Sequence, residues 1–190
     1  MEKFIGRKEE LKLLGDLSKS NRAIMVVIKG RRRIGKSRLA TEFAKDKKFL
    51  KFTGIAPTEN VNDQHQRDYF ARQLATNFKL PPLTFLDWQD AFDHLSLNLN
   101  KEEKTVILFD EISWIGDKDP TFLPKLKAWW DMTLQEYPNL MLILCGSVST
   151  WIEKNIINST AFFGRISLNI TLDELSLKES YEFLEEVGIK

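Results

Sequence analysis

Eight consecutive residues, Gly30-Arg31-Arg32-Arg33-Ile34-Gly35-Lys36-Ser37, satisfy the pattern G-x-x-x-x-G-K-[ST] without a mismatch, and each residue type in it has a chemical use. Glycines at 30 and 35 permit backbone torsions and a closeness of approach that a Cβ would block. The loop amides can then converge on phosphate oxygens, and a following helix aims its N-terminal partial charge at the same anion. Lys36 would reach the β- and γ-phosphates, and the Ser37 hydroxyl would ligate Mg²⁺. The bland alternative is a glycine turn with a coincidental Lys-Ser. The surroundings disfavour it, because an apolar run precedes the loop and an amphipathic one follows.

A second constellation stands further along. Residues 105–109 are apolar or β-branched and lead into Asp110-Glu111. A carboxylate at the carboxyl end of a strand can support the magnesium shell, directly or through water, which is the task for Asp110. Glu111 can orient and deprotonate a water for attack on a γ-phosphate. A solvated acidic turn would look the same in isolation; combined with Lys36 and Ser37, the pair reads as chemistry. An enzyme that phosphorylates a small molecule needs no carboxylate at Glu111, because its nucleophile is a bound hydroxyl. The pair therefore favours hydrolysis.

The charges are unevenly placed. The 190 residues carry 28 Lys and Arg against 27 Asp and Glu, a net of +1. Six of the basic side chains (Lys29, Arg31, Arg32, Arg33, Lys36 and Arg38) fall within residues 29–38, where there is no acid. The other 22 face 27 acidic groups, a net of −5. A cationic island thus sits on an acidic body, which argues against a general nucleic-acid surface. No apolar run approaches the ~18 residues that span a bilayer, and the amino terminus lacks the apolar stretch of a signal peptide, so a soluble, cytoplasmic protein without membrane contact is expected. A single cysteine, Cys145, cannot form an internal disulfide, and with only His65 and His94, far apart in sequence, beside it neither a structural zinc site nor Cys/His catalysis is expected.

Positioning these groups requires a scaffold, and the pattern supplies one. Strands are expected at residues 23–28, 49–53, 105–109, 140–145 and 167–171. Several are apolar throughout, as suits strands of a parallel sheet covered on both faces. Helical spacing marks residues 8–17, 36–44, 63–78, 87–99 and 122–136, and Ser176 opens a last helix with Glu179 as its capping-box partner. Pro81-Pro82 interrupts the chain between two helices, and Gly188 is a helix stop. No repeat or linker divides residues 1–190, so one domain is expected.

Taken in order, Phe4-Ile5-Gly6-Arg7-x-x-Glu10-Leu11, the 30–37 loop, Asp110-Glu111, Leu144-Cys145-Gly146-Ser147 and Phe163-Gly164-Arg165 resemble the archaeal-type ATPases, in the STAND branch of the AAA+ P-loop NTPases. The resemblance spans about residues 4–184, and the F-x-G-R-x-x-E-L start with the late G-R is its most specific part. It implies an α/β, three-layer P-loop NTPase fold of the AAA+/ASCE type, with a five-stranded parallel sheet in the order 5-1-4-3-2. Phe4, Ile5, Gly6 and Arg7 would then lie by the adenine of ATP or ADP, Arg7 also reaching the nucleotide. Gly30, Arg31, Arg32, Arg33, Ile34, Gly35, Lys36, Ser37 and Arg38 would bind it, with Mg²⁺ on Ser37 and Asp110. Ser147 resembles the sensor that touches the γ-phosphate or its attacking water, with Ser149 as a competitor.

Arg165 corresponds to an arginine that in oligomeric relatives serves a neighbouring subunit's nucleotide, which allows a homo-oligomer. The alternative is a salt bridge to Asp173 or Glu174. Three arginines crowd a loop that relatives fill with Pro or Gly; they could contact anions, pair with the acidic body or project to a DNA or protein partner. A helical lid and an effector domain commonly follow such a core, so residues 1–190 are expected to be the core of something longer.

Trp114, Trp129, Trp130 and Trp151 are expected in core or interface rather than on a base-stacking platform, with one ring of the 129–130 pair partly exposed. His65 reads as a surface residue, Cys145 as buried filler and residues 179–186 as a solvated acidic face. Three functions compete: slow ATP hydrolysis, a nucleotide-gated switch or scaffold with negligible turnover, and the ATPase module of a DNA-associated protein.

Overall fold

The protein is seen in a computed structural model that describes residues 4–186 and Gly188. Its strands are β1 (Ile24–Gly30), β2 (Lys48–Thr53), β3 (Thr105–Asp110), β4 (Leu140–Gly146) and β5 (Ile166–Leu172). They form one sheet in the order β2-β3-β4-β1-β5, parallel at every pairing. That is the expected order read from the opposite edge. β3 and β4 are buried along their whole length, which is why they read as unbroken apolar runs. The edge strand β5 instead alternates between covered and exposed positions.

Two cores flank the sheet. On one side α1 (Lys8–Leu17) and α2 (Lys36–Phe43) bring Leu14, Leu39 and Phe43 against Val26, Ile28, Val106, Leu108 and Cys145. On the other lie α3 (Asp63–Phe78), α4 (Trp88–Leu97), α5 (Ile112–Gly116) and α6 (Phe122–Met132). There Phe52, Phe70, Phe92, Phe109, Phe122 and Trp129 pack ring to ring, with Phe92 and Trp129 stacked at 4.6 Å. α7 (Ser149–Ile152) runs into a π-helical turn at Glu153–Ile157, and α8 (Leu177–Glu186) follows β5.

Differences from the sequence expectations have local causes. β1, β3 and β4 run further, to Gly30, Asp110 and Gly146, because residues past the apolar run still hold ladder positions such as Lys29 opposite Gly146. The 122–136 helix stops at Met132: Thr133 leaves helical torsions at φ −131°, and a single 3₁₀ turn, Leu134–Glu136, ends the segment. Asp87 caps α4 from outside, its carboxylate accepting from the Gln89 amide at 2.6 Å. α5 and α7 have too few residues for a helical period to show. Trp129 and Trp130 are both buried, contrary to the expectation of one exposed ring, because α6 is covered by α4 as well as by the sheet. His65 is exposed and completes the capping box of Asn62, and Cys145 is fully buried.

The parallel arrangement gathers the carboxyl ends of β1, β3 and β4 at one edge of the sheet. In open α/β sheets ligands bind in the crevice beyond those ends.

Candidate active site

Gly30 ends β1 and Lys36 begins α2, so the loop between them joins the middle of the sheet to a helix N-terminus. Gly30 takes φ +151°, and a Cβ there would collide with the carbonyl oxygen of Leu172 in the neighbouring strand. Gly35 takes φ +96° as the residue preceding α2. The loop's curl draws the Lys36 side chain inward, 5 % of the residue being exposed. Its ammonium donates to the carbonyls of Gly30 at 2.9 Å and Arg31 at 2.7 Å. An ammonium has three N–H donors, so one is left to aim at an anion in the loop.

Ser37, one residue into α2, donates its hydroxyl to Asp110 Oδ2 at 2.7 Å. A hydroxyl and a carboxylate that close together supply hard oxygen donors of the kind Mg²⁺ takes, the rest of its shell coming from phosphate and water. Among the described residues no cluster of three or more His, Cys, Asp or Glu could hold a metal. One hydroxyl and one carboxylate leave most of an octahedral shell open, so this donor set fits a cation bound jointly with a phosphate.

Glu111 follows Asp110 in a left-handed conformation, φ 51° and ψ 49°, which turns the chain from β3 into α5. Strain of this kind costs on the order of 1–3 kcal/mol and gathers at functional sites. Its Oε2 accepts from the Ser147 amide at 3.1 Å and the Ser147 hydroxyl at 2.8 Å. The second carboxylate is thus tied to the end of β4, the strand between β3 and β1. The side chain of Ser149 lies outside the described residues.

The amino-terminal segment reaches the same end of the molecule. Phe4, Ile5 and Arg7 line a cleft of about 170 Å³ with Arg33, Ile34, Gly35, Arg38, Leu175 and Phe183. Gly6 (φ +74°) lies so close to Glu179 and Leu175 that a Cβ would press on both. Arg7 is 7 % exposed. Its amide donates to Glu179 Oε1 at 2.7 Å, and its guanidinium donates to the carbonyls of Ile34 and Asp173. That guanidinium braces the phosphate loop against the segment after β5. Glu179 is held below the ordinary carboxylate range, first by the Arg7 amide and then by Ser176. It is therefore a structural anchor as well as the capping partner of Ser176, in a helix none of whose residues is fully buried.

The crowded arginines part company. Arg31 pairs with Glu174 at 3.2 Å on the surface, Arg32 lies over the Trp114 ring at 5.2 Å, and Arg33, at φ 63°, lines the cleft. Arg38 lines it too.

Arg165 stands elsewhere. It precedes β5, whose Ile166 lies opposite Met25 while Leu172 lies opposite Gly30. Six steps along a strand are roughly 20 Å, which separates it from this chain's phosphate loop. The same distance rules out Asp173 and Glu174, and its bridge goes instead to Asp131 at the end of α6: Nε to Oδ1 at 2.7 Å and Nη2 to Oδ2 at 2.8 Å. This fork lowers the Asp131 carboxyl to about 2.

Three residues of the site escaped the sequence reading. Lys51, on β2, places its ammonium 2.9 Å from Asp110 Oδ2; its only signal was the alternation of β2, which sets it on the α2 side of the sheet. Leu175 and Phe183 complete the cleft by tertiary packing and carried no signal.

Against known families, residues 4–189 match the one described as an ATPase domain predominantly from Archaea. The chain belongs to that family. It is an ATPase domain with the three-layer P-loop fold. An uncharacterized protein of Methanocaldococcus jannaschii is 26 % identical over 182 residues, which is 95 % of this chain and 38 % of that protein. An uncharacterized ATP-binding protein of the same organism is 42 % identical over 45 residues, 24 % of this chain and 76 % of that one. Among solved structures, the Walker-type ATPase of Pyrococcus abyssi aligns with a TM-score of 0.67 at 19 % identity, over 98 % of this chain and 60 % of that one. The Aeropyrum pernix ORC2 protein, solved as ADPNP–ADP complexes, aligns at 0.66 and 18 %, over 98 % and 54 %. The first-named relative and both solved proteins are thus substantially longer than the 190 residues. No helix among the described residues is long and apolar enough to cross a membrane.

Proposed function

We propose that this domain binds ATP with Mg²⁺ and hydrolyses it slowly, as a nucleotide-dependent regulatory or assembly module. The observation that carries the reading is the convergence of Lys36, Ser37, Asp110, Glu111 and Ser147 at the ends of three adjacent strands. Lys36 and the loop amides would hold the β- and γ-phosphates, and Ser37 with Asp110 would hold the cation. When bound, Mg²⁺ would neutralise charge developing on the transferred phosphoryl group. Glu111 would orient the attacking water and accept its proton, with Ser147 positioning that carboxylate. The cleft lined by Phe4, Ile5, Arg7, Leu175 and Phe183 is of a size and polarity suited to adenine.

The test is phosphate release by the wild type, Glu111→Gln and Lys36→Ala, with nucleotide affinity measured in parallel. Glu111→Gln should lose about 100-fold in turnover while retaining ATP, the usual worth of a general base. Equal rates in all three proteins reject the assignment.

A switch with negligible turnover is the second reading, and the double hold of Ser147 on Glu111 favours it. Both bonds fall on Oε2, so that oxygen must be released before it can take a proton, and turnover otherwise rests on Oε1 alone. If ADP and a non-hydrolysable ATP analogue give the same mass and partner binding, that reading fails. An assembly in which Arg165 serves a neighbour's phosphate would require it to leave Asp131. DNA binding through Arg31 and Arg32 would likewise require them to leave Glu174 and Trp114, and steep salt dependence would betray it.

A further inference from the structure

β2 alternates along its length: Leu50 and Phe52 enter the aromatic core, whereas Phe49 joins the core beneath α2. Lys51 shares the face of Phe49 and lies in register with Leu108, two residues before Asp110. A lysine side chain is long enough to span that diagonal, and its ammonium ends 2.9 Å from Asp110 Oδ2. The same oxygen accepts the Ser37 hydroxyl at 2.7 Å. One carboxylate oxygen therefore already serves both the hydroxyl proposed to hold the cation and an ammonium. The Asp110 side chain is 8 % exposed and that of Lys51 40 %, so the carboxylate is fixed while the lysine has solvent into which it can swing.

We propose that Lys51 is the resident counter-ion of the metal carboxylate. It neutralises Asp110 when no divalent cation is present and gives way when one enters, so it sets the Mg²⁺ concentration at which nucleotide binding becomes metal-dependent. This rests on the reading of Ser37 and Asp110 as the cation site. Two positive charges cannot both press on one oxygen without mutual repulsion, and the low exposure of Asp110 limits the screening between them. The lysine also offsets repulsion between Asp110 and the phosphates of a metal-free nucleotide, so the wild type tolerates chelator better than it would without Lys51.

The experiment follows a fluorescent ADP analogue by anisotropy, from EDTA through a Mg²⁺ titration. The proteins are the wild type, Lys51→Met, which keeps the length without the charge, and Lys51→Arg, whose fork grips a carboxylate more firmly. For Lys51→Met the Mg²⁺ midpoint should fall about tenfold and the ratio of Kd in EDTA to Kd in saturating Mg²⁺ should rise by about the same factor, the scale of one partly screened charge-assisted contact. Lys51→Arg should move the midpoint the opposite way, so either variant alone decides. Wild-type midpoints and ratios in variants that bind nucleotide overturn the role of Lys51 and leave the nucleotide site standing. Absence of binding by the wild type in both conditions overturns the nucleotide site and the role of Lys51 with it.

Discussion

Replacing Arg165 with alanine separates a residue that holds this chain together from one reserved for a neighbour. Asp131 receives both arms of the guanidinium fork and also the Lys127 ammonium at 2.9 Å. Its carboxyl drops from the ordinary 3.8 to about 2, first because of the Arg165 hydrogen bonds, against desolvation and with help from Lys127. At about 1.4 kcal/mol per unit, such a shift sets an upper bound near 2.5 kcal/mol on its linkage to folding. The two side chains are each 25 % exposed, and Lys127 stays behind in the variant. Solvent screening and the remaining partner bring the expected loss at pH 7 to about 1 kcal/mol. A carboxyl depressed in the folded state stabilises above its unfolded value and loses that contribution as the pH falls through the folded one. The gap between wild type and Arg165→Ala should therefore be full at pH 5 to 7 and shrink between about 4 and 2. Urea unfolding across that range measures it. A variant as stable as the wild type at pH 7, or a gap that does not narrow in acid, refutes the structural assignment and frees Arg165 for a role in trans.

Other outcomes follow from the same geometry. Gly30→Ala should abolish nucleotide binding and destabilise the fold by more than about 2 kcal/mol, because the methyl would meet the Leu172 carbonyl at a torsion that L side chains avoid; binding and thermal melting read both effects. Asp119 is 3 % exposed and accepts from Arg67, Trp88 and Thr121. Asp119→Ala should cost about 3 kcal/mol in urea unfolding by leaving the buried Trp88 indole N–H without its acceptor and Arg67 with only the more exposed Asp63 as its ionic partner, and a loss under 1 kcal/mol counts against it. Glu179→Gln should cost about 1 kcal/mol by weakening the charge-assisted bonds to the Arg7 amide and to Ser176. Since the Glu179 carboxyl is lowered from 4.5, that deficit should be present above this pH and fade as the pH falls further. Melting curves of wild type and variant that stay equally far apart in acid would contradict it.

The phosphate loop was legible because its whole design is local: two glycines, a lysine and a hydroxyl within eight residues, at a strand-to-helix turn that the apolar pattern announces. Asp110 and Glu111 were legible because a carboxylate at the end of an unbroken apolar strand can lie only at the rim of the sheet. The resemblance named Ser147 and the amino-terminal segment, but not what they touch. The exposed ring expected at Trp129-Trp130 was misjudged because a helical period shows which way side chains point and not how many neighbours cover them.

Chemistry and chain order thus resided in the sequence by itself. Partners were decided by the tertiary structure: Asp131 for Arg165, Glu179 for the Arg7 amide 172 positions away, and Lys51 for Asp110. The physical reason is range. A torsion, a cap or a loop amide is set by neighbours a few residues off, whereas an ion pair across strands depends on sheet order and register. Those follow from how the two cores pack and leave no periodic trace at the paired positions.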